Sequence, residues 1–371
     1  MWFRSRRYRW FALGVVLAGL VGFAYPRCAR LLAAKQFLST LSAAKPSTEL
    51  AKPAEEELSI PSAGGPIRAR LYRPSKGGAR RGVVVGHGVH YQGIDERRLM
   101  PFARALAQSG LVVLTPELSD LADYRLTTSS VTRISASVSY LAARRDLIES
   151  GRVGLLGFSF AGGLSLVAAA EPALRDKLEY VVSVGGHHSV DRVFRFLLTS
   201  RVETPSGTVK FKAHDYGLAV VMYGYLDEFL TEPELTPARN AIRAWLHEDR
   251  AGARARAASL SGEGARLFRL LEEQKLVELS PKLSAIVSAH RAELSALSPA
   301  GKLSRIHAPV YLLHGSLDSV IPASEAEFAG LELGGHAHEV LVTPLIEHVE
   351  VNGAAGLGQK LSLLSFMAHL F

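Results

Sequence analysis

The sequence VGLLGFSFAGG at residues 153–163 places a serine between an apolar run and a run of small residues. Val153–Leu156 predicts a buried strand, and Ser159–Ala170, small and apolar, predicts a tightly packed helix. A serine on such a strand–turn–helix corner is held in a strained backbone conformation that exposes its hydroxyl above the sheet. The residues two before and two after it must be small because strand and helix nearly touch. Gly157 and Ala161 meet this condition.

Strand and helix patterns alternate on both sides of this corner. Further strands are predicted at Ile67–Tyr72, Val83–Val85, Leu111–Leu114, Tyr180–Val184, Val310–Leu313 and Glu339–Val342. Helices are predicted between them, among others at 97–109, 128–148 and 353–370. The alternation predicts an α/β fold with a mostly parallel central sheet and helices on both faces.

Residues 188–300 interrupt this alternation with helical patterns only. We therefore predict an α/β core formed by residues 57–187 and 301–371, with residues 188–300 inserted as a helical cap. Within the cap, Val220–Tyr223 is apolar. These side chains either pack the cap onto the core or line a substrate pocket, and Met222 and Tyr223 are tentative substrate contacts.

The corner around Ser159 resembles the nucleophile elbow of the α/β-hydrolase superfamily, although alanine replaces the usual second glycine. The resemblance covers roughly residues 60–188 and 300–371. It implies an α/β-hydrolase fold and makes Ser159 the nucleophile. In this superfamily the acid follows a later strand and the histidine follows the last one.

The turn that contains Asp318 resembles the acid-bearing turn of these hydrolases, and His348 follows the final predicted strand. The resemblance therefore implies Asp318 as the acid and His348 as the general base. Asp191, after an earlier strand, is the alternative acid. His336 and His338 are weaker base candidates because they precede the final strand.

Acyl transfer also requires hydrogen-bond donors for the oxyanion of the tetrahedral intermediate. The N–H of Phe160, at the start of the predicted helix, is one candidate. His87-Gly88 stands where the superfamily has its His-Gly motif, which implies the N–H of Val89 as the second donor. His90 is the second choice for this role and a tentative substrate contact.

Composition and motifs argue against several other classes of protein. The net charge of +8 does not indicate nucleic-acid binding, because seven basic residues and no acidic ones lie in residues 1–35. Cys28, the single cysteine, excludes an internal disulfide and a cysteine-based metal site. A dinucleotide fold would need a glycine where Tyr91 stands. We expect no cofactor and no metal.

Residues 1–35 combine four early arginines with the uncharged run Trp10–Tyr25. The pattern is typical of a signal anchor or a cleaved signal. We expect a single-pass membrane anchor with the body on the extracytoplasmic side. Residues 36–56 are rich in Ala, Ser, Lys, Pro and Glu and predict a linker.

These observations together predict a serine hydrolase that cleaves the carboxylic ester of a small-molecule acyl substrate. Peptidase, thioesterase and acyltransferase activities use the same residues and stay open. The alternative from another class is an inactive binding or scaffolding module, because a fold does not determine a function. The sequence leaves the oligomeric state open.

Overall fold

The structure is a computed structural model that describes residues 27–41, 52–75, 81–347, 350–351 and 356–371. The strands are β1 (Ala54–Ile60), β2 (Ile67–Arg73), β3 (Gly82–Gly86), β4 (Val112–Pro116), β5 (Val153–Phe158), β6 (Leu178–Val184), β7 (Arg201–Thr204), β8 (Gly207–Lys210), β9 (Val310–Gly315), β10 (His338–Thr343), β11 (Ile346–Glu347) and β12 (Glu350–Val351). The helices are α1 (27–41), α2 (Leu99–Gln108), α3 (Ser119–Ala122), α4 (Thr128–Ala143), α5 (Phe160–Ala169), α6 (Val190–Thr199), α7 (Asp215–Gly224), α8 (Leu235–Leu246), α9 (Arg250–Ala257), α10 (Gly262–Glu272), α11 (Ser280–Ala289), α12 (Arg291–Ala296), α13 (Ser324–Leu333) and α14 (Leu357–Met367).

An eight-stranded sheet in the order β1-β2-β4-β3-β5-β6-β9-β10 forms the centre of the molecule. Neighbouring strands pair in parallel along the part of the sheet ordered β4-β3-β5-β6-β9-β10, whereas β2 runs antiparallel to both β1 and β4. Because the parallel strands share a direction, their carboxyl ends meet at one edge, where ligands bind in open α/β sheets. The predicted α/β fold, with its mostly parallel central sheet and a helical cap inserted between two of its strands, is confirmed.

Helices cover both faces of the sheet, as the continuous apolar runs of its central strands require. In β3, Val84 packs into the cluster that contains residues of α4 and α5. Val83 and Val85 point to the opposite face, where residues of α1, α2 and α14 form a second cluster. All three valines are fully buried.

Helix α1 crosses the boundary predicted between the N-terminal segment and the linker. Ala34, Phe37 and Leu41 recur at helical spacing and form one apolar face. Ala34 and Phe37 are fully buried, and the Phe37 ring centroid lies 5.2 Å from that of Phe102 in α2. Residues 27–41 therefore belong to the folded body.

The structure corrects our prediction of a transmembrane anchor. Within the described ranges, no helix combines the length and the apolar character that a membrane span requires. The run Trp10–Tyr25, from which the anchor and the extracytoplasmic location were inferred, lies outside the described residues. The helix that follows carries Arg27, Arg30 and Lys35 and packs onto α2. The membrane and localisation predictions are therefore withdrawn.

The cap between β6 and β9 contains helices α6 to α12, as predicted, together with an antiparallel hairpin, β7–β8, that the sequence patterns did not indicate. Two segments connect the core with the cap, and residues of α13 form hydrogen bonds with both of them. Glu325, buried in α13, accepts hydrogen bonds from the N–H groups of His188 and Ser189, each at 2.8 Å. Glu332 accepts one from Gly301 N–H at 3.0 Å. These contacts fix the cap relative to the sheet.

Candidate active site

Ser159 occupies the turn between β5 and α5 with φ 54° and ψ −131°. A positive φ at a residue other than glycine costs about 1–3 kcal/mol, so the surrounding structure must enforce it. Two backbone hydrogen bonds do so: Ser159 N–H donates to Val184 O, and Gly162 N–H donates to Ser159 O, both at 2.8 Å. The structure thus places Ser159 on the strained corner that the sequence predicts.

Small residues allow the close approach of strands and helix around this corner. A Cβ atom on Gly157 would lie 2.2 Å from the carbonyl oxygen of Ala161, a distance that no side chain tolerates. A Cβ atom on Gly86, at the end of β3, would lie 3.3 Å from the Cβ of Ala161. A residue larger than alanine at position 161 would press against β3, so this position requires a small side chain.

The turn after β3 passes directly over the serine. A Cβ atom on Gly88 would lie 3.2 Å from Ser159 Cβ, which is tighter than most real contacts, so glycine lets the turn pass this close to the serine. The buried His87 ring fixes the turn: its Nδ1 is 2.8 Å from Gly88 O, and its Nε2 accepts a hydrogen bond from Leu118 N–H at 2.9 Å. Val89 follows at the cavity wall.

Phe160 is the first residue of α5, and the first N–H groups of a helix have no intrahelical acceptor. Its N–H and that of Val89 thus belong to two segments that meet beside Ser159. The helix dipole adds partial positive charge at this end of α5. Such a place can stabilise a developing oxyanion.

Asp318 follows β9 at the same edge of the sheet and is buried. Its Oδ1 accepts hydrogen bonds from the N–H groups of Val320 and Ile321, both at 2.9 Å. Its Oδ2 lies 3.5 Å from His314 Nε2. The carboxylate is therefore held rigidly by its own turn. His348, the predicted base, lies outside the described residues, so the structure does not show whether it meets Asp318 and Ser159.

The alternative candidates lie elsewhere. Asp191 lies in the first turn of α6 in the cap and forms an ion pair with Arg195, with 3.0 Å between Oδ2 and the guanidinium. His338 begins β10 and is paired with Val310, the first residue of β9. It therefore lies at the amino ends of the parallel strands, opposite the edge that carries Ser159. The neighbouring His336 bonds the carbonyl of Ala308 through Nε2 at 2.8 Å.

A cavity of about 1050 Å³ opens in front of Ser159 between the core and the cap. His90 lines it, and its ring stacks on Tyr91, which stacks in turn on His247 of the cap, with centroid separations of 4.7 and 4.8 Å. Burial lowers the pKa of the His90 imidazole below its ordinary value, because it disfavours the charged ring. His90 is thus a fixed aromatic part of the wall.

The structure does not place Met222 and Tyr223 on the cavity wall. Both are fully buried, and the Tyr223 hydroxyl donates a hydrogen bond to Asp123 Oδ1 at 3.0 Å and accepts one from Arg243 Nε at 2.9 Å. These contacts join α7 and α8 of the cap to the core. The residues of α7 that line the cavity include Val220 and Val221.

Some wall residues were not expected from the sequence. They come from α1, from the turn after α3 and from the end of α8, and include Leu38, Leu41, Tyr124 and Trp245. The helical spacing of residues 34, 37, 38 and 41 is the one local signal that indicates the contribution of α1. The other residues depend on long-range packing.

His187 packs against the start of α5, with its ring centroid 5.3 Å from that of Phe160. Its Nε2 donates a hydrogen bond to Leu297 O at 3.0 Å, and its buried Nδ1 has no partner among the described residues. Burial lowers the pKa of His187 to about 4. The folded protein therefore holds a neutral imidazole behind the candidate oxyanion site.

We expect the free energy of unfolding to decrease by about 2 kcal/mol more in the natural protein than in a His187→Gln variant between pH 7.5 and 5. An unfolded histidine binds a proton near pH 6.5, whereas His187 binds one only near pH 4 when folded. Stability present above pH 6.5 is thus lost progressively as the pH falls to 4. Urea unfolding at both pH values measures this, and equal losses in the two proteins would contradict the role of His187.

No protein-family model matches this chain, and a search of curated proteins found no match. Solved structures that are similar include Pyrococcus horikoshii acylaminoacyl peptidase at 12% identity and a TM-score of 0.47, which covers 80% of this chain. The chain spans 37% of that peptidase. An esterase from Pyrobaculum calidifontis has 18% identity and a TM-score of 0.46, covering 93% of this chain and 91% of its own. A dienelactone hydrolase from Anabaena variabilis has 18% identity and a TM-score of 0.46, with 86% and 98% coverage.

Proposed function

We propose that the protein is a serine hydrolase that cleaves carboxylic esters through an acyl intermediate on Ser159. One observation carries the proposal. Ser159 has a strained backbone conformation at a helix start, directly beneath the Gly88 turn, and faces a cavity large enough for a substrate. Strain of this kind persists where the surrounding structure enforces it, and such strain clusters at functional sites.

In the proposed reaction, Ser159 Oγ attacks the ester carbonyl carbon while His348 accepts the hydroxyl proton. The N–H groups of Val89 and Phe160 stabilise the oxyanion that forms. The alcohol leaves with the proton from His348, and the acyl group stays on Ser159. Water then attacks the acyl carbon while His348 accepts one of its protons. The bond between the acyl carbon and Ser159 Oγ breaks, His348 returns the proton to Oγ, and the free acid departs. Asp318 holds His348 in the required tautomer and stabilises its charged form.

The cavity favours an ester over a peptide as substrate. Its lining consists mostly of apolar side chains, among them Leu156, Phe194, Leu197, Val220 and Val221. A peptide would bury several amide groups there, and each would lose free energy without a hydrogen-bond partner. An ester with a hydrocarbon chain buries a single carbonyl group, which the oxyanion donors can bind. No step in this scheme requires a cofactor.

We expect a fluorophosphonate probe to label the purified protein on Ser159. The probe reacts with a serine only when a neighbouring base activates the hydroxyl, so labelling separates an enzyme from an inactive binding module. Trypsin cleavage after Arg152 releases a peptide that begins at Val153, in which mass spectrometry locates the modification. A Ser129→Ala variant, which alters an exposed serine of α4, should label normally. A folded protein that stays unlabelled would favour the binding module.

A further inference from the structure

The cavity in front of Ser159 extends to the face of the sheet that α1, α2 and α14 cover. We call this part of the cavity the rear lobe. The side chains that line it are apolar and come from α1, α2, α14 and the sheet. They include Leu38, Leu41, Phe102, Phe158, Leu363 and Met367. Phe158, the neighbour of the proposed nucleophile, points into this lobe, and its ring centroid lies 4.9 Å from that of Phe102. The rear lobe is therefore continuous with the candidate active site.

Helix α1 is held firmly as one wall of the rear lobe. The Phe37 ring lies between those of Phe102 and Phe371, with centroid distances of 5.2 and 6.2 Å. The Gln36 side chain donates a hydrogen bond to the carbonyl of Gln108 at the end of α2, at 3.1 Å. With these neighbours in place, Leu38 occupies a defined position on the wall.

The two sides of the cavity differ in chemistry. The rear lobe has buried hydrocarbon walls, such as those formed by Phe102 and Leu363. The side toward the cap carries the exposed, charged cap residues Glu248 and Arg250. In an acyl-enzyme mechanism the alcohol must leave while the acyl group is still attached to serine. The open, polar side of the cavity therefore suits the departing alcohol, and the buried rear lobe suits the acyl group that stays on the serine.

We propose that the rear lobe binds the acyl chain, so that the substrates are esters of linear, medium- to long-chain aliphatic acids. The proposal rests on the proposed hydrolase function. Each methylene moved from water into an apolar lobe contributes about a fourfold gain in kcat/KM when it is fully buried. Helix α1 then contributes to substrate specificity through Leu38 and Leu41.

The experiment compares kcat/KM for p-nitrophenyl octanoate and p-nitrophenyl acetate. We expect at least a tenfold preference for octanoate in the natural protein, because six further methylenes enter the lobe. Leu38→Trp and Leu41→Trp fill the lobe and should each lower the octanoate-to-acetate ratio at least tenfold. Leu32→Trp, on the exposed side of the same helix, is the matched control and should leave both rates unchanged.

If the natural protein shows no preference for octanoate over acetate, the proposal is overturned, even if both lobe variants fail to fold. The proposal is also overturned if the lobe variants fold and keep the octanoate-to-acetate ratio of the natural protein. An equal gain for octyl acetate over ethyl acetate would place the alcohol chain in the lobe and contradict the acyl assignment.

If no ester is cleaved and Ser159 stays unlabelled, the hydrolase proposal fails. Octanoic acid binding to the Ser159→Ala protein then tests the lobe alone, with at least a fivefold loss of affinity expected when Leu38→Trp is added.

Discussion

Ser159→Ala should lower kcat for a short p-nitrophenyl ester by a factor on the order of 10⁴–10⁶, since removal of a triad nucleophile has effects of this size. Alanine cannot form the acyl intermediate, so only the oxyanion donors and the cavity remain to accelerate attack by water. The fold should persist because both hydrogen bonds that fix the turn come from backbone atoms of residue 159. Initial rates under saturating ester measure the effect.

Two controls separate loss of the nucleophile from loss of structure. The thermal midpoint of Ser159→Ala should stay close to that of the natural protein, since the substitution removes a single oxygen atom. Ser129→Ala on α4 should keep full activity because this serine is exposed and lies outside the cavity lining. Turnover in Ser159→Ala equal to that of the natural protein would disprove the assignment of the nucleophile.

The sequence was most informative where a feature depends on neighbours along the chain. The central strands β3, β5 and β9 are runs of apolar residues between turn signals, so their positions were predicted within a few residues. The corner at Ser159 was predictable because its geometry demands small residues at fixed offsets, and Gly157 and Ala161 supply them. Because these requirements involve residues that are close together in the sequence, they can be predicted from it.

Strand β1 shows why other elements were missed. The first residues of β1, 54–56 with the sequence Ala-Glu-Glu, have low strand propensity and were predicted to belong to the linker. In the structure Glu55 forms an ion pair with Arg104 of α2, and Glu57 forms one with Arg68 of β2, with 2.6 and 2.9 Å between charged atoms. Charged side chains are typical of an edge strand. Their partners are distant in sequence, so the local pattern gave no strand signal.

The structure places the candidate substrate contacts Met222 and Tyr223 of α7 outside the cavity lining, and the sequence did not indicate this for a related reason. Its run Val220–Tyr223 is apolar throughout, so periodicity does not indicate which side faces the cavity. The orientation follows from the Tyr223 hydroxyl, which meets Asp123 and Arg243. These partners lie 100 and 20 residues away along the chain. Only tertiary packing decides that Val220 and Val221 line the cavity.

Asp318→Asn should lower kcat by a factor on the order of 10⁴, whereas Asp191→Asn should leave it within a factor of about two. The amide oxygen of asparagine can still accept the hydrogen bonds of Val320 and Ile321, so the turn after β9 should hold its shape. The amide nitrogen, however, replaces an acceptor by a donor. It then favours the imidazole tautomer that cannot take the serine proton.

The same assay decides between the two acids. Asp191 forms an ion pair with Arg195 on α6, and the loss of one partly exposed ion pair contributes little to stability. Thermal midpoints of both variants, measured beside the rates, separate a catalytic effect from unfolding. A variant that keeps the thermal midpoint of the natural protein but loses kcat by a factor on the order of 10⁴ lacks the catalytic acid. Should Asp191→Asn prove the more damaging change, the acid would be reassigned from Asp318 to the residue that follows the strand before the cap.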